Sequence, residues 1–300
     1  MPRGRSLHIG LNSVDADHYG GWSGPLVACE ADAHDMGLIA HMRGFSTRTL
    51  LTANATRDAV LEEIAAAARA SVAGDIFLLT NSSHGARLPE RYGEDDDGAD
   101  TIWCMYDGGL IEDEIHLALS AFRTGVRILI ISDSCHSGSS IRSPEPRSIC
   151  GDMLADQAVI SGLAGWSARV GASLDFLGSL MSVPRPKTVP LEIMSSTHFE
   201  NKAFYDHITA RADLRAAKSA IKASVLLLSA CQNNQTTMDG AFNGTFTDEI
   251  KTVWDGGRFP GGYEAFVTEI GNNLPASQAP GFVRIGARDL AFERQSPFTI

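Results

Sequence analysis

The sequence lacks the signatures of several large protein classes. Its longest apolar runs, near Ile128 to Ile131 and Val225 to Leu228, fall far short of the roughly twenty residues a membrane helix needs. The basic start, Met1 to Arg5, is followed by a segment too short and polar for the apolar core of a signal peptide. Cysteines number five, at positions 29, 104, 135, 150 and 231, with no C-x-x-C pair among them. An odd set without paired spacing argues against both a disulfide framework and a four-cysteine zinc site, and for a reducing, cytoplasmic setting. Positive charge is in deficit: 25 lysines and arginines face 36 aspartates and glutamates, for a net charge of −11. That balance speaks against nucleic acid and anionic membrane as partners, since both require a basic face. There is no internal repeat, and no biased segment beyond the acidic run Glu94 to Asp97.

What the chain does have is enough apolar material for a core. It runs to 300 residues, 44 % of them hydrophobic and 20 % charged, which excludes disordered and fibrous classes. Short apolar runs alternate with helical patterns through the first half. Leu7 to Leu11, Thr47 to Leu51, Ile76 to Thr80 and Val126 to Ser132 read as strands. Ala31 to Met42, the alanine-rich stretch after Thr56, and Ile111 to Phe122 read as helices, with Thr56 as an N-cap. This order predicts an α/β fold with a mostly parallel central sheet and helices on both faces. The second half is less regular. Residues Ser139 to Pro190, with five prolines, read as a connecting region. Val189 to Ser195 and Ser224 to Ala230 read as strands, Lys202 to Lys222 as one helix, and Phe246 to Trp254 and Tyr263 to Ile270 as two more.

In open α/β sheets, chemistry gathers in the loops beyond the carboxyl ends of the strands. The strand Ile76 to Thr80 runs into Asn81-Ser82-Ser83-His84-Gly85, and the strand Val126 to Ser132 into Asp133-Ser134-Cys135-His136-Ser137-Gly138. If the two strands are neighbours, His84 and Cys135 share a crevice. A thiol beside an imidazole is what nucleophilic catalysis needs, because the thiolate attacks and histidine takes its proton. The adjoining glycines allow a backbone N–H to approach a substrate carbonyl, as an oxyanion hole requires. Taken singly, a cysteine after a strand is more often a small buried apolar residue, and a histidine more often simply hydrogen-bonded. His136 is a rival base, although adjacent residues in an extended loop point apart. A zinc site from His84, Cys135 and His136 matches none of the usual ligand spacings.

These two loops resemble the paired motif of metacaspases and their bacterial relatives, the orthocaspases. Three further stretches agree with the resemblance: Leu26 to Ala33, Leu228 to Gln235 followed by Asp239-Gly240 and Asn243-Gly244, and the C-terminal Gln295-Ser296-Pro297-Phe298. The family implies a caspase-like α/β catalytic domain over residues 1–300. Within it, 1–142 would be the large-subunit-like part, 143–190 the connecting region and 191–300 the small-subunit-like part. It implies Cys135 as nucleophile, His84 as base or acid, and the amides of Gly85 and Cys135 as the oxyanion hole. It also implies a primary specificity pocket built from Cys29, Asp32, Ser82 and Asp133. Two carboxylates facing a narrow pocket attract arginine or lysine and repel aspartate. The expected activity is therefore cysteine endopeptidase cleavage after a basic residue, on polypeptide substrates, by a monomer with no required cofactor.

Two positions depart from the family pattern. Ser83 stands where glycine is usual before the catalytic histidine. Arg142 stands seven residues after the nucleophile, where calcium-dependent members carry an aspartate, and a cation there cannot ligate calcium. Asp95, Asp96 and Asp97, with Asp100 and Asp107, offer oxygens in an acidic loop that otherwise reads as solvated. Many relatives cut themselves after a basic residue between the two parts. Arg142, Arg147 and Lys187 are the candidate positions here, whereas Arg185 is followed by Pro186, which blocks cleavage. The rival expectation is a catalytically silent caspase-fold protein that binds partners without turnover.

Overall fold

In a computed structural model, the apolar runs of the first half become the inner strands of one sheet. The structure describes residues 1–89, 99–134, 185–231, 237–240, 243–275 and 278–300. Six strands build the central sheet: β1 (Gly4–Gly10), β2 (Ser46–Leu51), β3 (Ile76–Ser82), β7 (Arg127–Asp133), β9 (Ser224–Ser229) and β11 (Gly281–Gly286). Their spatial order is β11-β9-β7-β3-β1-β2, parallel throughout except for antiparallel β11 at one edge.

Both faces of the inner strands are covered, which is why β3 and β7 read as unbroken apolar runs. Phe77, Leu79, Ile128 and Ile130 point to one face, against α2 (Arg57–Ala70) and α3 (Glu112–Ser120). Ile76, Leu78, Leu129 and Ile131 point to the other, against α1 (Cys29–Met42), α7 (Thr245–Trp254) and α8 (Tyr263–Asn273). Thr56 caps α2 as expected, its hydroxyl accepting from the Ala59 amide at 3.2 Å. A buried ion pair ties α2 to α3, with Arg57 Nη2 2.8 and 2.9 Å from the two oxygens of Glu114.

Three local expectations are corrected. Val189 to Ser195 is not a strand: helix α4 (Leu191–Glu200) starts directly after Pro190, whose φ of −55° and missing N–H suit the start of a helix. Lys202 to Lys222 is not one helix. It divides into α5 (Lys202–Thr209), α6 (Ala212–Arg215) and a single tight turn at Lys218–Ala220, with extended Arg211 (ψ 120°) as the break. The end of the connecting region is also more than a connection, because Lys187 and Val189 are buried. A second, antiparallel sheet of β4 (Gly85–Pro89), β5 (Ala99–Met105) and β6 (Gly108–Ile111) went unread in the sequence. Last come the two-residue strands β8 (Arg185–Pro186) and β10 (Met238–Asp239), which pair antiparallel, and the short helix α9 (Leu290–Arg294).

Candidate active site

The expectation that the two motif-bearing strands are neighbours holds. β3 and β7 pair in parallel, with Ser82 opposite Asp133, so the chain leaves both strands at one level of the sheet. The start of α1 supplies Asp32 to the same end, where its carboxylate accepts from Ser82 Oγ at 2.7 Å.

His84 follows β3 and is 4 % exposed. Its Nε2 lies 3.0 Å from the carbonyl of Gly24. A carbonyl only accepts, so Nε2 carries the proton and Nδ1 is left with its lone pair. Among the described residues Nδ1 is buried without a partner. The Trp22 ring lies against the imidazole, with centroids 4.7 Å apart. Gly24 permits this arrangement. Its φ is +53°, and a Cβ there would fall 2.7 Å from the Trp22 ring and 3.0 Å from His84 Cδ2. Burial lowers the imidazole to a pKa of about 4, and Lys187 pushes the same way, so the ring is neutral at physiological pH. Ser83 has two partners: its buried hydroxyl accepts from Asn81 Nδ2 at 3.0 Å and donates to the His84 carbonyl at 3.1 Å.

Of the four residues expected to form a specificity pocket, Asp32, Ser82 and Asp133 meet around one point, and a lysine of the same chain stands there. Lys187 Nζ stands 2.9 Å from Asp32 Oδ2, 3.0 Å from Asp133 Oδ2 and 2.9 Å from Ser82 Oγ. All four side chains are buried. Burial alone would lower the Lys187 ammonium, but Asp133 and Asp32 outweigh it and hold the group well above the ordinary lysine value. Burial lifts Asp32 above the ordinary carboxylate value, with Lys187 opposing the rise and Asp133 adding to it. Cys29 lies beside Ser82, and burial raises its thiol far from any reactive range.

A further ring of groups fixes the two carboxylates. Asp32 Oδ1 accepts from the Gly244 amide at 2.8 Å and from Asn243 Nδ2 at 3.1 Å. Asp133 accepts from Thr237 Oγ1 at 3.0 Å and from Thr247 Oγ1 at 2.9 Å. Asn243-Gly244 was visible as part of a motif, though without a role. The two threonines carry no sequence signal, because only the return of β10 and α7 to the sheet end brings them there.

The backbone around Lys187 is held as firmly as its side chain. The Gly85 amide donates to the Lys187 carbonyl at 3.0 Å, the Lys187 amide to the Thr237 carbonyl at 3.1 Å, and the Val189 amide to the Gly85 carbonyl at 3.1 Å. Ahead of it, β8 lies antiparallel on β10, and Arg185 Nη1 reaches the Pro25 carbonyl at 2.9 Å. Arg185–Pro186 are thus a two-residue strand, the chain bends at Lys187, and Thr188 bridges to Gly85.

The model of the caspase domain, Peptidase_C14, matches residues 13–291. The chain belongs to the caspase-domain family. This caspase domain is similar to Metacaspase-1 of Schizosaccharomyces pombe, 30 % identical over 186 residues, covering 59 % of this chain and 40 % of that protein. It is also similar to Metacaspase-1B of Aspergillus fumigatus, 29 % identical over 157 residues, covering 47 % of this chain and 37 % of that protein. It thus spans about two fifths of the length of these curated relatives. A crystal structure of a Geobacter sulfurreducens protein matches with a TM-score of 0.80 at 40 % identity, covering 100 % of this chain and 99 % of that one. Caspase-1 of Spodoptera frugiperda shares the fold, with a TM-score of 0.50 at 10 % identity over 96 % of this chain and 88 % of that one.

Other expected residues divide clearly. Cys135 and His136, Arg142 and Arg147, and Asp95, Asp96 and Asp97 lie outside the described residues. Asp107 has a structural task, accepting from the Arg57 amide at 2.8 Å at the start of α2. Among the described residues there is no cluster of three or more metal-ligating side chains, and no helix long and apolar enough to cross a membrane.

Proposed function

We propose that this caspase domain is a cysteine endopeptidase that cuts polypeptides after a basic residue, and that its first substrate is its own Lys187–Thr188 bond. One observation carries the reading. The Lys187 ammonium lies between Asp32 and Asp133 while its carbonyl oxygen sits on the Gly85 amide, the posture a bound substrate would take.

In this reading the Cys135 thiol gives its proton to His84 Nδ1, and the thiolate attacks the Lys187 carbonyl carbon. The oxyanion is held by the amides of Gly85 and Cys135. Collapse breaks the bond to Thr188 nitrogen, and His84 returns the proton to that leaving amine. Water then hydrolyses the thioester, restoring the thiol and leaving a Lys187 carboxylate. Gly24 orients the histidine through its carbonyl, and Trp22 covers the ring. Until the bond is cut, the pocket is closed to other polypeptides, so the uncut chain is latent.

The test is incubation of the purified chain beside Cys135→Ala, read by intact mass and N-terminal sequencing. The expected result is fragments 1–187 and 188–300 from the native chain alone, with hydrolysis of lysine-terminated fluorogenic peptides rising as they form. Equal fragmentation or equal peptide turnover by both chains would remove Cys135 from its role. Preference for an aspartate-terminated peptide would remove the two carboxylates from theirs.

A further inference from the structure

Resting on that reading, we infer that the pocket separates the two basic residues, taking lysine over arginine, and that Gly244 sets its depth. The acceptors around Nζ are three: Asp32 Oδ2 at 2.9 Å, Asp133 Oδ2 at 3.0 Å and Ser82 Oγ at 2.9 Å. An ammonium is a compact charge with three N–H groups, and these three oxygens match it one for one. A guanidinium is flat, reaches one atom further from Cα, and asks for acceptors spread along its plane.

No depth remains for that extra atom. Gly244 closes the pocket just beyond Nζ, and a Cβ there would overlap Nζ and Asp133 Oδ2 and stand 2.8 Å from Asp32 Oδ2. The backbone does not demand glycine at this position, since its φ of −60° and ψ of 144° suit any residue. What excludes a side chain is the space the ammonium occupies. Nor do the carboxylates have slack to retreat. Asp32 is pinned by the Gly244 amide and Asn243, and Asp133 by Thr237 and Thr247. Admitting arginine would require breaking some of these bonds.

The experiment has two arms. In the first, the self-cleaved enzyme is given Arg-Pro-Lys and Arg-Pro-Arg fluorogenic amides, which repeat residues 185–187 and vary only the last position. The lysine peptide is expected to have the higher kcat/KM by about tenfold or more, the scale on which a pocket rejects one surplus atom. Equal or faster cleavage of the arginine peptide overturns the inference. In the second arm, Lys187→Arg is made in the inactive Cys135→Ala chain and its thermal midpoint compared with that of Cys135→Ala alone. A midpoint lower by several degrees is expected, and one equal or higher overturns the inference. Failure to hydrolyse either peptide would count against the peptidase reading, while the melting comparison would still decide the pocket's preference.

Discussion

The Gly85 amide donates a hydrogen bond of 3.0 Å to the carbonyl oxygen of Lys187, a residue 102 positions further along the chain (187 − 85). The Gly85 carbonyl in turn accepts from Val189, so the chain on both sides of the Lys187–Thr188 bond is fastened to one residue. With the ammonium also fixed, the bond has little freedom to turn away. In the proposed self-cleavage, holding this bond in one posture would be among the largest sources of rate that an enzyme commands.

Asp32→Asn keeps an oxygen for the Gly244 amide but removes one of the two charges facing the ammonium. Its kcat/KM for a lysine-terminated peptide is expected to fall about a hundredfold, on the order of 2.7 kcal/mol of transition-state binding. Self-cleavage should slow in parallel, while alkylation of Cys135 by iodoacetamide keeps its native rate. An unchanged kcat/KM would show that Asp32 does not face the substrate.

Gly244→Ala puts a methyl group where the ammonium sits. The uncut chain is expected to lose about 1–3 kcal/mol in urea unfolding, the usual cost of overpacking a tight site. Lysine-peptide hydrolysis by any folded fraction should drop at least tenfold. Normal hydrolysis would mean that the pocket floor lies elsewhere.

Trp22→Ala uncovers the His84 ring. Burial is the main cause of its pKa of about 4, so exposure moves the value up toward the ordinary 6.5. In the proposed reaction His84 must be neutral to act as base, so activity falls as pH drops through this pKa. The acid limb of kcat/KM is therefore expected to move to higher pH in the variant, which a pH-rate profile reads directly.

His8, a buried residue of β1, shares a hydrogen bond with Thr80 Oγ1 of β3 at 2.8 Å, and its other nitrogen has no partner among the described residues. Burial lowers its pKa to about 3. The unfolded chain, with histidine near 6.5, therefore binds the extra proton in the window from about pH 6.5 down to 3. Stability from this group is present above that window and is lost as pH falls, by about 1.4 kcal/mol per unit at most. His84 adds a similar loss between about 6.5 and 4. His8→Leu is expected to flatten the acid slope of urea midpoints measured at pH 6.5, 5.5 and 4.5. A slope equal to that of the native chain would place the lability elsewhere.

How much of this was legible in the sequence depends on what each residue's neighbours are. The unbroken apolar runs of β3 and β7 fixed a parallel, doubly covered sheet, because only strands buried on both faces dispense with polar alternation. Leu191-Glu192-Ile193 misled, since a three-residue alternation fits a strand as well as the first turn of a helix and only Pro190 tips the balance. The second sheet was missed although Asp107-Gly108 marks the turn between β5 and β6, and the residues joining β4 to β5, 90–98, lie outside the described residues.

His84 was readable as a candidate because it follows a strand end, whereas Asp32 and Asp133 came to notice through the resemblance to metacaspases, and the start of α1 and the end of β7 carry them to one place. Thr237, Thr247 and Gly244 were not, since their work is defined by carboxylates more than a hundred residues away in the chain. The sequence alone determined the sheet, the paired strand ends and the set of charges available to a pocket. Tertiary structure decided that Asp32, Ser82 and Asp133 meet and that the chain's own Lys187 stands among them. A buried cation finds its place through three-dimensional complementarity of charge and space, and no spacing along the chain encodes that.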